Sequence, residues 1–144
     1  MNKKRIESLM LKAKESLESS EILKRDNQNQ WYIEDSYNGQ TSSFGVTVAM
    51  SGLLPALVIF YQKSSDSKKI DRKKILEAIS NMIKSDKPEW GINDAKSLLE
   101  KALGRGINDE NLKKEIAAGL KKEVLECATA LKQIIRTYEL KQVL

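Results

Sequence analysis

The chain of 144 residues has the length of one ordinary domain, and 31% of its residues are charged, with a formal net charge of +5. It contains no histidine and a single cysteine, which excludes a zinc site built from these two residue types and removes the commonest general base. Because the sequence also lacks a glycine-rich phosphate loop, we expect no catalytic activity, no cofactor and no metal site.

The positive charge is unevenly distributed along the chain. Residues 1–25 hold seven bases and four acids, residues 26–62 hold three acids and no base, and residues 63–87 hold eight bases and four acids. Such basic segments can attract phosphates. A solvated helix face with a modest surplus explains the same counts, and charge alone favours that simpler interpretation.

Apolar residues at three- and four-residue spacing predict a first helix over about residues 3–25. The polar stretch 26–30 is interpreted as its end. Residues 31–43 show no clear period and are interpreted as a loop packed on the core. The aromatic residues expected to anchor this loop are Trp31, Tyr32 and Tyr37.

The run 44–61 contains no charged residue. A membrane span needs about 20 apolar residues, and polar residues, a glycine and a proline weaken this run. Since the other predicted helices are amphipathic and need a partner for their apolar faces, we predict a helix buried at the centre of a bundle. Pro55 should kink that helix or begin a new one, and Gly52 should let another helix approach closely.

Three further helices are predicted downstream. Apolar stripes place one over residues 75–83, ended by Pro88, and a shorter one over residues 95–103. The last helix should begin near Asp109 and extend almost to the C terminus, about 45–50 Å, with Cys127 on its apolar stripe and a bend possible at Gly119. Each GIND tetrapeptide, at 91–94 and 106–109, is interpreted as an asparagine N-cap before a helix.

No segment alternates with period two for long enough to predict a sheet. The predicted fold class is therefore all-α. We expect a compact single-domain helical bundle over residues 1–144, with about five to six helices, a central apolar helix and a long C-terminal helix. The single cysteine cannot form an internal disulfide and fits a reducing cytoplasm, and the N-terminal segment has no signal-peptide pattern.

The stretch SGLLPALVIFYQK (51–63) resembles the central motif of the small subunit of type III-B CRISPR effector complexes, the Cmr type. Ser51 stands where the family has asparagine, and the Lys-Leu-Pro that usually precedes the motif is missing. The matching positions are Gly52, Leu53, Ala56, Leu57, Phe60 and Lys63. ATALKQIIRTYEL (128–140) resembles the family's closing helix, with Arg136 and Glu139 at matching places but Gln133 and Thr137 where the family tends to have Trp and Phe.

The resemblance implies a non-catalytic helical subunit of an antiviral RNA-targeting complex. Several copies would stack along a filament beside the backbone subunits that hold the CRISPR RNA, and would help line the channel for target RNA. The implied partners are the backbone and other subunits, neighbouring copies of itself, and CRISPR RNA and target RNA through the assembled complex. The implied location is the cytoplasm, without a membrane.

Holding RNA in such a complex requires cations on a rigid scaffold, because base pairing with the guide reads the sequence. The candidate nucleic-acid-binding residues are Lys63, Lys68, Lys69, Arg72, Lys73 and Arg136, joined by Lys3, Lys4 and Arg5. For Arg136 a salt bridge within the helix or to another subunit is an equal alternative. The acidic segment 26–35 is expected to meet a basic surface on a neighbouring copy, in a head-to-tail contact that can propagate.

Two other functions fit the same sequence. A helical adaptor that binds only protein would use its charge for solubility, and co-purification of CRISPR RNA with backbone subunits would distinguish it. A single-span membrane protein is the second, and release from cells without detergent would exclude it.

Overall fold

The computed structural model describes residues 3–62 and 71–142 of the chain. Within these ranges it contains six α-helices, three short strands and one turn of 3-10 helix. The helices are α1 Lys3–Ser19, α2 Asp35–Ser51, α3 Leu53–Tyr61, α4 Lys73–Asp86, α5 Ala95–Ala102 and α6 Glu110–Ile135. The strands are β1 Leu23–Arg25, β2 Trp31–Glu34 and β3 Glu139–Lys141, and the 3-10 turn is Pro88–Trp90.

The long helix α6 is the element around which the others pack. It contacts α1, α2, α4 and α5, while α3 fits against α2, α4 and α5. The apolar faces of all six helices meet in one cluster of buried residues. The predicted all-α class and long C-terminal helix are confirmed, because each amphipathic stripe finds its partner in this cluster.

The first helix is shorter than predicted. It ends at Ser19, and Glu21 adopts a left-handed conformation with φ 64°, which stops the helix. The chain then turns Ile22 and Leu23 into the core, where they are buried. Ile22 and Leu23 do not follow the apolar stripe of α1 because they lie in the turn after α1 and in the following strand.

The predictions of a loop over residues 31–43 and of no sheet are wrong. Strands β1 and β2 form an antiparallel hairpin with Leu23 opposite Ile33, and β3 pairs with β2 in parallel, with Leu140 opposite Ile33. In the connecting turn the carboxylate of Asp26 accepts hydrogen bonds from two backbone N–H groups. Strands of three or four residues are too short to show a period in the sequence.

The three aromatic residues of this segment lie in different environments. Tyr37 lies in α2 and is buried, as expected of an anchor, and Tyr32 is half-buried. Trp31 is 40% exposed, with the guanidinium carbon of Arg25 4.0 Å from its ring centroid. The prediction that Trp31 packs on the core is therefore wrong.

The apolar run forms two helices that meet at Gly52. This glycine has φ 99° and ψ 163°, a conformation almost confined to glycine. Pro55 is the third residue of α3, so the second of the two roles predicted for it, in the first turn of a new helix, is the observed one. Among the described residues, only the Pro55 ring comes within 4 Å of a Cβ built on Gly52, at 3.7 Å. Glycine is therefore required here for the backbone conformation, and not for the predicted close approach of another helix.

The expectation that the run is buried all round is also wrong. Its buried residues are Phe44, Val48, Ala56, Leu57 and Phe60, with the Phe44 and Phe60 rings edge to face at 5.0 Å. The outer stripe is exposed and consists of Val46, Met50, Leu54, Val58 and Ile59, with Met50 at 83%. The run packs on the bundle with one side, because α6 and α4 occupy the centre of the bundle. In the described ranges, each helix is too short or too polar to cross a membrane.

The two GIND tetrapeptides do cap helices, one residue later than predicted. Asp94 begins α5 by accepting the N–H of Ser97 at 2.8 Å, and Asp109 caps α6 in the same way. Hydrogen bonds with the backbone and the side chain of Ser97 hold the pKa of Asp94 below its usual value. Gly91 and Gly106 both have left-handed φ, 70° and 68°, and so turn the chain into each cap.

Helix α6 has 26 residues and so spans about 39 Å, shorter than predicted. It ends at Ile135 because the chain turns there into β3. Gly119 lies against Trp90, whose ring would be 3.4 Å from a Cβ at that position. Cys127 is fully buried, as predicted, and its burial raises the pKa of the thiol.

Candidate nucleic-acid interface

The candidate basic residues are only partly described by the structure. Lys63, Lys68 and Lys69 lie outside the described residues. Arg72, Lys73 and Arg136 lie inside them, as do Lys3, Lys4 and Arg5 at the start of α1.

Arg72 and Lys73 come together where α4 begins, beside the end of α3. The guanidinium carbon of Arg72 lies 5.3 Å from the Phe60 ring centroid, and the Lys73 ammonium lies 4.4 Å from the Tyr61 ring centroid. These cation–π contacts hold both half-buried side chains against the aromatic end of α3. The first turn of α4 contains no acidic residue, but the carboxylate of Asp71 just before it accepts the N–H of Lys73 at 3.1 Å. This carboxylate offsets part of the positive potential at the start of the helix.

Arg136 lies apart from this pair in the sequence, directly after the last residue of α6. Its Nε donates a hydrogen bond to Oδ1 of Asn38 in α2 at 3.3 Å, and its side chain is exposed. The ion pairs between described residues do not include it. Arg136 therefore links α6 to α2 and still faces solvent.

Arg5 is half-buried and holds together a cluster of three buried or half-buried carboxylates. Its guanidinium donates to both carboxylate oxygens of Asp86, with Nη1 2.7 Å from Oδ1, and to Glu123, with Nη2 2.6 Å from Oε1. Glu126 lies 3.9 Å from Arg5 Nε, and Lys12 reaches Asp86 at 3.3 Å. The expectation of an RNA contact by Arg5 is therefore replaced by a structural role that joins α1 to α4 and α6.

Sequence reasoning missed this cluster although a signal was present. Glu123 and Glu126 flank Val124 and Cys127 on the predicted buried face of the last helix, and both are buried, at 5% and 4% exposure. Acids on a buried face require cationic partners. Which cations meet them depends on how α1 and α4 pack.

The cluster shifts the pKa values of two acids in opposite directions. Burial, a hydrogen bond with Asp86 and the Asp86 charge raise the pKa of Glu123 from 4.5 to about 7, against the opposing effect of Arg5. The Arg5 guanidinium, with Glu123 and Lys12, holds the pKa of Asp86 well below its usual range. Glu123 therefore takes up its proton close to neutral pH, whereas Asp86 stays ionised there.

This arrangement predicts that stability falls as the pH rises from about 4.5 to above 7. A carboxyl whose pKa is raised by folding stabilises the protein at any pH below its pKa in the unfolded chain. This contribution is lost as the pH rises through its pKa in the folded protein. One pKa unit corresponds to about 1.4 kcal/mol, so the rise from 4.5 to about 7 sets an upper limit of roughly 3.4 kcal/mol. We expect a loss of about 2 kcal/mol in urea titrations, because solvent partly screens the charges of the cluster. As the pH falls below about 3.8, stability should also decrease, because Asp86 takes up a proton in the unfolded chain while the folded protein holds its pKa well below that value. A Glu123→Gln variant should show a flat profile between pH 4.5 and 7; an unchanged slope would contradict the assignment to Glu123.

The acidic segment 26–35 is partly neutralised within the chain. The Asp26 carboxylate lies 2.7 Å from the Lys141 ammonium, and Glu34 lies 2.7 Å from the Lys24 ammonium. The pairing with Lys141 lowers the pKa of Asp26. Asp35, the first residue of α2, is exposed and pairs with no cation among the described residues. Two of the three acids thus stabilise the small sheet.

Together the fold and these sites define a helical bundle that presents exposed cations on a rigid core. In the described part of the chain, histidine, cysteine and acidic side chains form no group able to hold a metal ion. The protein therefore belongs to the class of small helical bundles with cations on their surface.

A model of the family described as CRISPR-associated protein (Cas_Cmr5) matches residues 11–138. The chain belongs to this family and is a small subunit of the type III-B CRISPR effector complex. A search of the curated proteins found no match, and neither did a search of the solved structures. Membership implies that the partners of the chain are other subunits of the Cmr complex.

Proposed function

We propose that this chain is a non-catalytic structural subunit that stacks along the type III-B filament in the cytoplasm and helps hold target RNA for antiviral defence. The observation that carries the proposal is the family match over residues 11–138. The cationic start of α4 supports it, because rigidly held cations suit phosphate contacts that need no base recognition.

The proposal assigns the RNA contact to the surface around the start of α4. Arg72 and Lys73 are its described members, and Lys63, Lys68 and Lys69 precede them in the chain. Arg136 is proposed as a separate contact, since its guanidinium binds Asn38 through one nitrogen and leaves the others available.

Replacing Lys68, Lys69, Arg72 and Lys73 together by alanine should weaken target-RNA binding by the assembled complex. Loss of several phosphate contacts should lower the affinity about tenfold or more at moderate salt and reduce the salt dependence by about one unit of slope per lost contact. The measurement is a binding titration of guide-loaded complex at several salt concentrations. We expect Arg72→Ala with Lys73→Ala alone to give part of this effect.

The control is a set of exposed lysines on helices other than α4: Lys14, Lys96, Lys114 and Lys122, all replaced by alanine. This variant changes the net charge equally and should bind RNA like the parent complex. Equal affinity and equal salt slope for the α4 variant and the control would reject the RNA contact at this surface. Thermal unfolding of each isolated chain would show whether the bundle stays folded.

Co-purification tests the proposal as a whole. The chain, expressed with the other subunits of its complex, should be recovered with CRISPR RNA and the backbone subunits. Recovery of protein partners without any RNA would favour the adaptor, for which the exposed apolar stripe of α2 and α3 is the supporting observation.

A further inference from the structure

A groove lies between the start of α3, the end of α5 and the first half of α6, with a cavity volume of about 290 Å³. Its floor is apolar and its rim is cationic. The floor residues are Leu53, Ala102, Leu103, Ile116, Ala117 and Leu120. The rim residues are Lys101, Lys113 and Lys121.

The charge of the rim is not neutralised within the described chain. The groove lining includes no carboxylate, and the ion pairs between described residues involve none of the three lysines. Lys101 donates to the carbonyl of Gly106 at 3.4 Å, which leaves its charge in place. Three like charges around one cavity create a local positive potential that favours an acidic occupant.

The floor distinguishes a protein from a nucleic acid. Leu103 is 40% exposed at the end of α5, and Leu53 is half-buried at the start of α3. Covering apolar surface with another apolar group lowers the free energy, whereas a charged phosphate is not stabilised by an apolar floor. A groove with apolar floor and cationic rim matches the amphipathic helix-in-groove mode of recognition.

We propose that this groove binds an acidic amphipathic segment of a different type of subunit of the effector complex, not of a second copy of this chain. An apolar side chain of that segment covers the floor between α5 and α6, and its carboxylates lie opposite the three rim lysines. This inference rests on the proposed place of the chain in the complex, and it adds the site and the chemistry of one protein contact.

The first test reverses the charge of the rim with Lys101→Glu, Lys113→Glu and Lys121→Glu in one chain. Its control is Lys14→Glu, Lys96→Glu and Lys114→Glu, which makes the same change in net charge at exposed positions outside the groove. We expect incorporation into the complex, measured by pull-down through a tagged backbone subunit, to fall about tenfold for the rim variant and to stay at the parent level for the control. Equal incorporation of the two variants would overturn the proposal.

The second test fills the groove while adding positive charge. Ala117 is an exposed floor residue of α6, and arginine has good helix propensity, so Ala117→Arg should leave the bundle folded. We expect Ala117→Arg to reduce incorporation because its side chain occupies the site of the apolar anchor. RNA held in the groove would tolerate or favour the added charge. Normal incorporation with altered RNA affinity would therefore overturn the protein contact in favour of RNA.

A third measurement separates failure of this proposal from failure of the proposed function. The probe is a fluorescein-labelled synthetic helix that repeats leucine and glutamate at three- and four-residue spacing, titrated against the isolated chain. Binding that both groove variants weaken, and the control does not, supports the site even where the parent chain fails to enter the complex. Absence of probe binding would overturn it. Self-association of the parent chain in sedimentation, lost in the rim variant, would overturn it in favour of a second copy.

Discussion

Replacing Arg5 by alanine should lower the free energy of unfolding by about 3–5 kcal/mol. The guanidinium contacts Asp86 and Glu123 directly and lies close to Glu126, and all three carboxylates have side-chain exposures of 12% or less. Removing it leaves Lys12 as the cation paired with Asp86 and leaves the two glutamates without theirs. The expected loss is a large fraction of the stability of a domain of this size. Urea titration at pH 7 measures it.

The pH dependence and a second substitution make this prediction specific. Arg5→Ala should be less damaging at pH 5 than at pH 7, because Glu123, with its pKa raised to about 7, is protonated at the lower pH. Adding Glu123→Gln to Arg5→Ala should recover part of the loss, since it removes one unpaired charge. Lys14→Ala, an exposed change on the same helix, should alter stability by less than about 0.5 kcal/mol. Additive effects of the two cluster substitutions would contradict a shared network.

Gly52→Ala should cost about 1–3 kcal/mol, because Gly52 has φ 99° and ψ 163°, where a Cβ is strained. The strain would act at the junction of α2 and α3 and shift the buried residues that follow it, Ala56 and Leu57. Thermal or urea unfolding of the variant measures the cost.

Gly45→Ala is the matched control for this prediction. Gly45 lies inside α2, and a Cβ built on it meets no described atom within 4 Å. Alanine there should stabilise the protein by about 0.5–1 kcal/mol through helix propensity. The two substitutions should therefore have opposite signs, and a stabilising Gly52→Ala would contradict the positive φ. The same backbone requirement explains why glycine suits this position of the motif that resembles the family.

The sequence predicted the candidate site only where basic residues are concentrated in one segment. The bases around Arg72 and Lys73 stand out in the sequence, and the structure brings these two residues onto the aromatic end of α3. Arg5 also lies in a basic segment, but it has a structural role. The sequence does not reveal this role because its partners Asp86 and Glu123 lie 81 and 118 residues away. The lysine-rimmed groove has no sequence signature, since its lining comes from three separate helices.

The amino-acid sequence by itself determined the helical class, the positions of α4, α5 and α6, the capped starts of the last two and the break near Pro55. These features depend on neighbours within about four residues, through apolar spacing, capping groups and the conformational limits of glycine and proline.

Tertiary structure decided the small sheet, the exposed stripe of α2 and α3, and the partners of Arg5. Strand β2 joins β1, which is near in sequence, to β3, more than a hundred residues away, and so needs the whole bundle to bring its partners together. Which side of an all-apolar helix is covered depends on where the other helices lie, and so does the environment of a buried charge. The free energy of these features comes from contacts between distant segments, which a local pattern does not encode.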